Sequence, residues 1–208
     1  MRPPSFGADI TNQANNEPQL PAVMHCTRMA GRAIIRVVGR CNDAQENNNL
    51  DLSECQLIQV PDAVYHLMRN TALRGCNLSS NVITKIPPKF AVKFSLITDL
   101  NLSHNQMSKL PDELVDLAEL ERLDISHNAY ISLPNVVFKI PKLTHLNARH
   151  NHIVDVEVER LRVAPSLQEV DLQENPLSPR CHNELSAVTS VQVRLSVRER
   201  EDWEDLTV

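Results

Sequence analysis

Three histidines, His104, His127 and His150, recur at a constant interval of 23 residues, and each is followed by asparagine. His145 and His152 flank the last of them. Imidazoles set in a column could ligate a transition metal or titrate near neutral pH. A metal site needs ligands at a fixed spacing that converge on one point, and neither that spacing nor a Cys-x-x-Cys pair accompanies these residues. The interval reads instead as one turn written three times, its rings meeting water, and no metal is expected. Ser53, Ser79, Ser103 and Ser126 recur in the same manner, with no Gly-x-Ser-x-Gly elbow around any of them. Four glycines are too few for a phosphate-cradling loop. Asp51, Asp124 and Asp171 are dispersed rather than paired for acid–base work. These residues predict no enzyme, no cofactor and no small-molecule ligand.

The frame that repeats them is legible. Six segments follow the pattern L-x-x-L-x-L-x-x-N/C-x-L: 47–57, 73–83, 97–107, 120–130, 143–153 and 167–177. Their ninth positions are Cys55, Asn81, Asn105, Asn128, Asn151 and Asn175. Positions four and six alternate apolar with polar, as in Leu100 and Leu102 or Leu123 and Ile125, which is the period of a half-buried strand. The ninth-position carboxamide, with two donors and an acceptor oxygen, suits a sharp turn whose backbone groups are buried. Stacked, these side chains predict a ladder, with Cys55 at its first rung, where one side lacks a full neighbour.

A second apolar column follows at Val60, Ile86, Leu110, Leu133 and Val156, with proline next at Pro61, Pro87, Pro111 and Pro134. Proline suits the first turn of a helix, so the return segments are expected to be short helices or turns with Val64, Phe90, Leu114 and Val137 pointing inward. No single coil buries its apolar side alone, so the ends need caps. Ala30, Ala33, Ile34, Val37, Val38 and Cys41 form one helical stripe that closes the first coil. Val191, Val193, Leu195 and Val197 alternate as a closing strand. The expected organisation is a disordered segment over 1–25, a capping helix over 26–45, six repeats over 46–177, a C-terminal cap over 178–197 and an acidic tail over 198–208.

The run Leu110-Pro111-Asp112-Glu113-Leu114 through Leu123-Asp124-Ile125-Ser126-His127-Asn128 resembles the common cytosolic leucine-rich repeat. Leu50 to Cys55, Ile153 to Val158 and Glu174 to Leu177 strengthen the likeness to that family, which extends from about Ala30 to about Leu177. The resemblance implies an α/β right-handed solenoid, a horseshoe, with no catalytic residues and no defined ligand to carry over.

Curved repeat arrays bind extended partners on their concave side. The expected function is therefore a protein–protein interaction module, an adaptor or scaffold; the alternative is a regulatory subunit acting on an enzyme held on the same face. The expected contact residues are Asp99, Asn101, His104, Arg122, Asp124, His127, His145, Asn147, Arg149 and His150, whose mixed charges suit an electrostatically steered interface. A net charge of −5 opposes nucleic-acid binding, and no apolar run approaches the ~20 residues of a membrane-spanning helix. Arg28, Arg32, Arg36 and Arg40 line one face of the capping helix and are expected to be its solvated side. Five cysteines, an odd number without paired spacing, fit reduced thiols in the cytosol. In the tail, Trp203 and Leu206 resemble the aromatic-x-x-aliphatic motif that docks on ubiquitin-like autophagy modifiers by strand addition.

Overall fold

The computed structural model describes the backbone of residues 22–197 and the side chains of residues 34–197. Trp203 and Leu206 lie outside the described residues, as do residues 1–21. Among the described residues, seven strands of three residues each form one parallel sheet in sequence order: β1 (Asn49–Asp51), β2 (Gly75–Asn77), β3 (Asp99–Asn101), β4 (Arg122–Asp124), β5 (His145–Asn147), β6 (Glu169–Asp171) and β7 (Gln192–Arg194). Register is strict: Leu100 opposes Leu123, Leu123 opposes Leu146, and Leu146 opposes Val170. Each repeat position therefore becomes a straight file across the sheet. The ladder continues beyond the strands, for example from Leu102 N–H to the Asp124 carbonyl at 2.7 Å and from Ile125 N–H to that of Asn147 at 2.8 Å.

The return path is made of short α-helices and 3-10 turns. Helices α2 (Asp62–Leu67), α3 (Lys89–Lys93) and α4 (Val158–Arg162) serve three coils, and 3-10 turns at Asp112–Asp116 and Asn135–Phe138 serve two. Four of these segments are entered through a proline whose carbonyl accepts from the N–H three residues on: Pro61 from Val64, Pro87 from Phe90, Pro111 from Leu114 and Pro134 from Val137, at 2.9–3.1 Å. That turn drives Val64, Phe90, Leu114 and Val137 into the core, where all four are buried. Strand positions four and six meet them from the other side, giving one continuous apolar core along the array, mostly aliphatic with Tyr65, Phe90, Phe94, Tyr130 and Phe138 among it.

The N-terminal cap is the 26-residue helix α1 (Ala22–Asn47). Its buried line is Val37, Cys41 and Ala44, whereas Ile34 is 64% exposed and Val38 37%. The expected stripe is thus rotated. Among the side chains described, from Ile34 on, the first coil meets the helix along the i, i+4, i+7 line of Val37, Cys41 and Ala44. At the other end α5 (Pro179–Ser186) is capped by the Ser178 hydroxyl, which accepts from Cys181 N–H at 3.2 Å. Strand β7 closes the sheet as anticipated, but the inward alternation ends early: Val191 is buried, Val193 and Leu195 are half-buried, and Val197 is 95% exposed.

Candidate interaction face

Two files of residues make the turn that leaves each strand, and their chemistry differs sharply. At position nine, Asn81, Asn105, Asn128 and Asn151 are buried. The Asn128 carboxamide nitrogen lies 2.9 Å from the Leu102 carbonyl of the preceding coil, and 3.1 and 3.0 Å from those of Ile125 and Ser126 in its own. Its oxygen accepts from Met107 N–H at 2.9 Å. Asn81, Asn105, Asn151 and Asn175 repeat the arrangement, so every rung ties two coils together.

Cys55 cannot donate in this way, and α1 supplies the missing group. Arg40 Nη1 reaches the carbonyls of Ser53 and Asp51 and approaches Cys55 Sγ at 3.5 Å; Arg36 Nη1 donates to the Glu54 carbonyl at 3.0 Å. These two arginines are therefore not simply a solvated face. A guanidinium carries more donors than a coil end can otherwise find, and it closes the first rung.

Position eight, one residue earlier, has positive φ in every repeat: Glu54, Ser80, His104, His127, His150 and Glu174 lie between 52° and 57°. Histidine is enriched in this left-handed region relative to most residues, which gives the Ser-His-Asn spelling a backbone reason. The rings stack, His104 on His127 at 4.0 Å with planes 10° apart and His127 on His150 at 4.4 Å and 26°. Ring nitrogens direct their lone pairs in the ring plane, so parallel rings aim them side by side rather than at one ion. Among the described residues no group of His, Cys, Asp and Glu is arranged to hold a metal. Partial burial, and then the adjacent His104 and His150, lower the pKa of His127. Glu174 ends the file, bonded to His150 Nδ1 at 2.9 Å and paired with Arg149. Those hydrogen bonds, from Arg149 first, hold its carboxyl below the usual range.

Positions three and five project from the concave side. Arg122 pairs with Asp99, and Glu169 with Arg194 at 2.5 Å, with His145 Nε2 3.9 Å from the same carboxylate. Position five has a structural duty: Asp51, Asn77, Asn101, Asp124, Asn147 and Asp171 each accept the N–H two residues on, at 2.9–3.1 Å. This Asx turn ends every strand.

Six of the expected contact residues, Asp99, Asn101, Arg122, Asp124, His145 and Asn147, line one concave hollow of about 480 Å³. The other four, His104, His127, Arg149 and His150, are not among its lining residues; they form the rail at the turn. The hollow also takes in Asn49, Asp51, Gly75, Cys76 and Asn77. Sequence reading omitted these, although they occupy the same positions three to five in the first two repeats. Gly75 marks the place where the row of side chains is interrupted: a Cβ there would lie 2.4 Å from Asn49 Oδ1.

An open parallel sheet, an asparagine at five of its six repeat turns and a polar concave face define a solenoid interaction module. The chain belongs to the leucine-rich repeat family: the family model "Leucine rich repeat" matches residues 71–130, and curated relatives extend the match. It is 44% identical over 155 residues to leucine-rich repeat-containing protein 20 of Mus musculus, covering 73% of this chain and 84% of that protein. The Homo sapiens protein of the same name is 34% identical over 95 residues, 44% of this chain and 52% of its own length. Among solved structures, the chain resembles TLR13 in its complex with ssRNA13 (TM-score 0.61, 21% identity), covering 72% of this chain and 21% of that one. It also resembles the internalin inlF of Listeria monocytogenes (TM-score 0.51, 21% identity), covering 66% and 40%. Both likenesses concern the fold.

Proposed function

We propose that the chain is an adaptor or scaffold that holds a protein partner in its concave hollow. The observation that carries this reading is the gathering of Asp99, Asn101, Arg122, Asp124, His145 and Asn147, drawn from three consecutive strands, around one depression. Strands about 4.8 Å apart present these groups as a ruled concave surface that complements an extended or helical segment better than a compact ligand. The Arg122–Asp99 pair is exposed on both sides, so it contributes steering and register rather than bulk affinity. A cytosolic setting accords with Cys41, Cys55, Cys76 and Cys181, all free and buried.

A photo-crosslinking residue at Asn101, compared with one at the exposed convex residue Val163, tests the proposal in cells. A partner captured from Asn101 and not from Val163 supports it. Arg122→Glu then weakens that partner's binding by about tenfold, the scale of one lost charge contact, with an unchanged circular dichroism spectrum. Capture from Val163 alone, or undiminished binding by Arg122→Glu, moves the site elsewhere.

A further inference from the structure

A different surface carries exposed large aliphatic side chains, which the concave strands lack. Beyond the asparagine turn the chain descends along one flank, and positions ten and twelve of successive coils point outward there. Ile58, Val82, Ile131 and Val154 occupy these positions and are all exposed, Ile131 at 72% and Val154 at 46%. Ile131 and Val154 hold the same position in adjacent coils, whose strands are in register, so they are neighbours on an apolar ridge. Beside that ridge is a recess of about 470 Å³, whose apolar walls are Leu110, Leu133, Pro134, Val136, Phe138 and Val156. It is large enough for one or two side chains. Large exposed aliphatics beside a recess with both apolar and charged walls are the anatomy of a docking site rather than of a solvated flank.

The charges around it choose the occupant. Three lining carboxylates, Asp112, Asp155 and Glu157, face one lining cation, Lys109. Glu157 is held by Arg160 at 2.5 Å, and Asp155 accepts from the Ser178 hydroxyl at 2.5 Å. Arg180, also on this side, is engaged by Glu184 at 2.8 Å. Asp112 has no ion-pair partner among the described residues, and Glu113 and Asp116 add negative charge along the same 3-10 turn. The chain's own Trp203–Leu206 segment offers apolar side chains, but it carries Glu201, Asp202, Glu204 and Asp205, and like charges oppose its seating here.

We propose that this flank is a second docking site, separate from the concave face, that takes a partner segment with an apolar anchor flanked by lysine or arginine. The anchor fills the recess against Leu133 and Phe138, its neighbour covers Ile131 and Val154, and the flanking cations meet Asp112 and Asp155.

Short fluorescent peptides test this on the full chain: a Phe-Leu pair flanked by lysines, the same pair flanked by glutamates, and a lysine-flanked Ser-Ser pair. The lysine-flanked Phe-Leu peptide binds saturably by anisotropy, and each control is weaker by about tenfold or more. Ile131→Ser and Asp155→Asn each weaken it by about tenfold, while Arg122→Glu on the concave face leaves it unchanged. Ile131 and Asp155 are exposed, and circular dichroism verifies that both variants fold. Equal binding of the glutamate-flanked peptide, or tighter binding of a peptide spanning Glu199 to Val208, overturns the charge rule. Insensitivity to Ile131→Ser overturns the location. Self-association of the free chain that Ile131→Ser abolishes assigns the flank to a second copy and likewise overturns the proposal.

Discussion

Positions eight and nine are neighbours in sequence and opposites in energetics. Asn128 is buried, with its carboxamide meeting three carbonyls and one N–H across two coils. His127, one residue earlier, is half-exposed, is held in a left-handed backbone conformation and touches chiefly two other histidines. A buried polar group left unpaired costs its full desolvation, whereas an exposed one exchanges its partner for water. The asparagine file therefore holds the coils together, and the histidine file decorates a turn whose shape the backbone already demands. Identical periodicity in sequence conceals this difference.

The sharpest way to break the comparison is Asn128→Ala. It leaves Met107 N–H and the carbonyls of Leu102, Ile125 and Ser126 without their side-chain partner, and about 1–3 kcal/mol of stability is lost. Urea unfolding followed by circular dichroism shows it as a lower midpoint; a midpoint equal to that of the parent chain contradicts the ladder.

At position eight the decisive property is φ rather than the ring. His127→Val, with a β-branched side chain in the left-handed region, loses about 1 kcal/mol. His127→Gly holds or raises the midpoint, because glycine adopts this conformation without steric cost. If both variants lose stability equally, ring stacking outweighs backbone conformation and the comparison fails.

Arg40→Ala extends the contrast to the end of the array, where a guanidinium stands in for the absent asparagine. Removing it costs about 1 kcal/mol, expressed as early loss of protection for the amides of the first coil in hydrogen exchange. Uniform loss across all coils argues that α1 supports the whole array rather than its first rung.

The smallest effect is the pH dependence. The pKa of His127 is lowered in the folded chain, so the unfolded chain binds its proton more readily. This contribution is fully present above pH 6.5, the unfolded value, and is lost as pH falls through that value toward the lower folded one. His127→Gln removes it, flattening the stability profile below about pH 6.5. Nuclear magnetic resonance titration of the His127 ring provides the direct check: it protonates below its ordinary range, and a normal or raised value contradicts its partial burial between two imidazoles.

Much of the architecture was legible because a solenoid's core is written locally. Leu100, Leu102, Asn105 and Met107 specify one coil within eight residues, and the six-fold recurrence specifies the stack. The asparagines' partners could be anticipated for the same reason, since the coil before and the coil after are nearly copies. Position five misled in emphasis. Asn101, Asp124 and Asn147 read as free concave groups, yet each also ends its strand, a duty that Asp or Asn at that position in all six repeats could have signalled.

What the sequence determined alone is therefore what repeats: the strands, the aliphatic core, the asparagine ladder and the family. What only the tertiary structure decided lies where repetition stops or where separate coils meet. The face of α1 that is buried, and the use of Arg36 and Arg40 to close the first rung, depend on how the helix lies against the first coil. The division of the expected contact residues between hollow and rail, and the recess beside Ile131, depend on the register and spacing of coils 23 or more residues apart. Periodicity determines a residue's position within its own coil, but exposure and charge pairing depend on what the neighbouring coil places beside it.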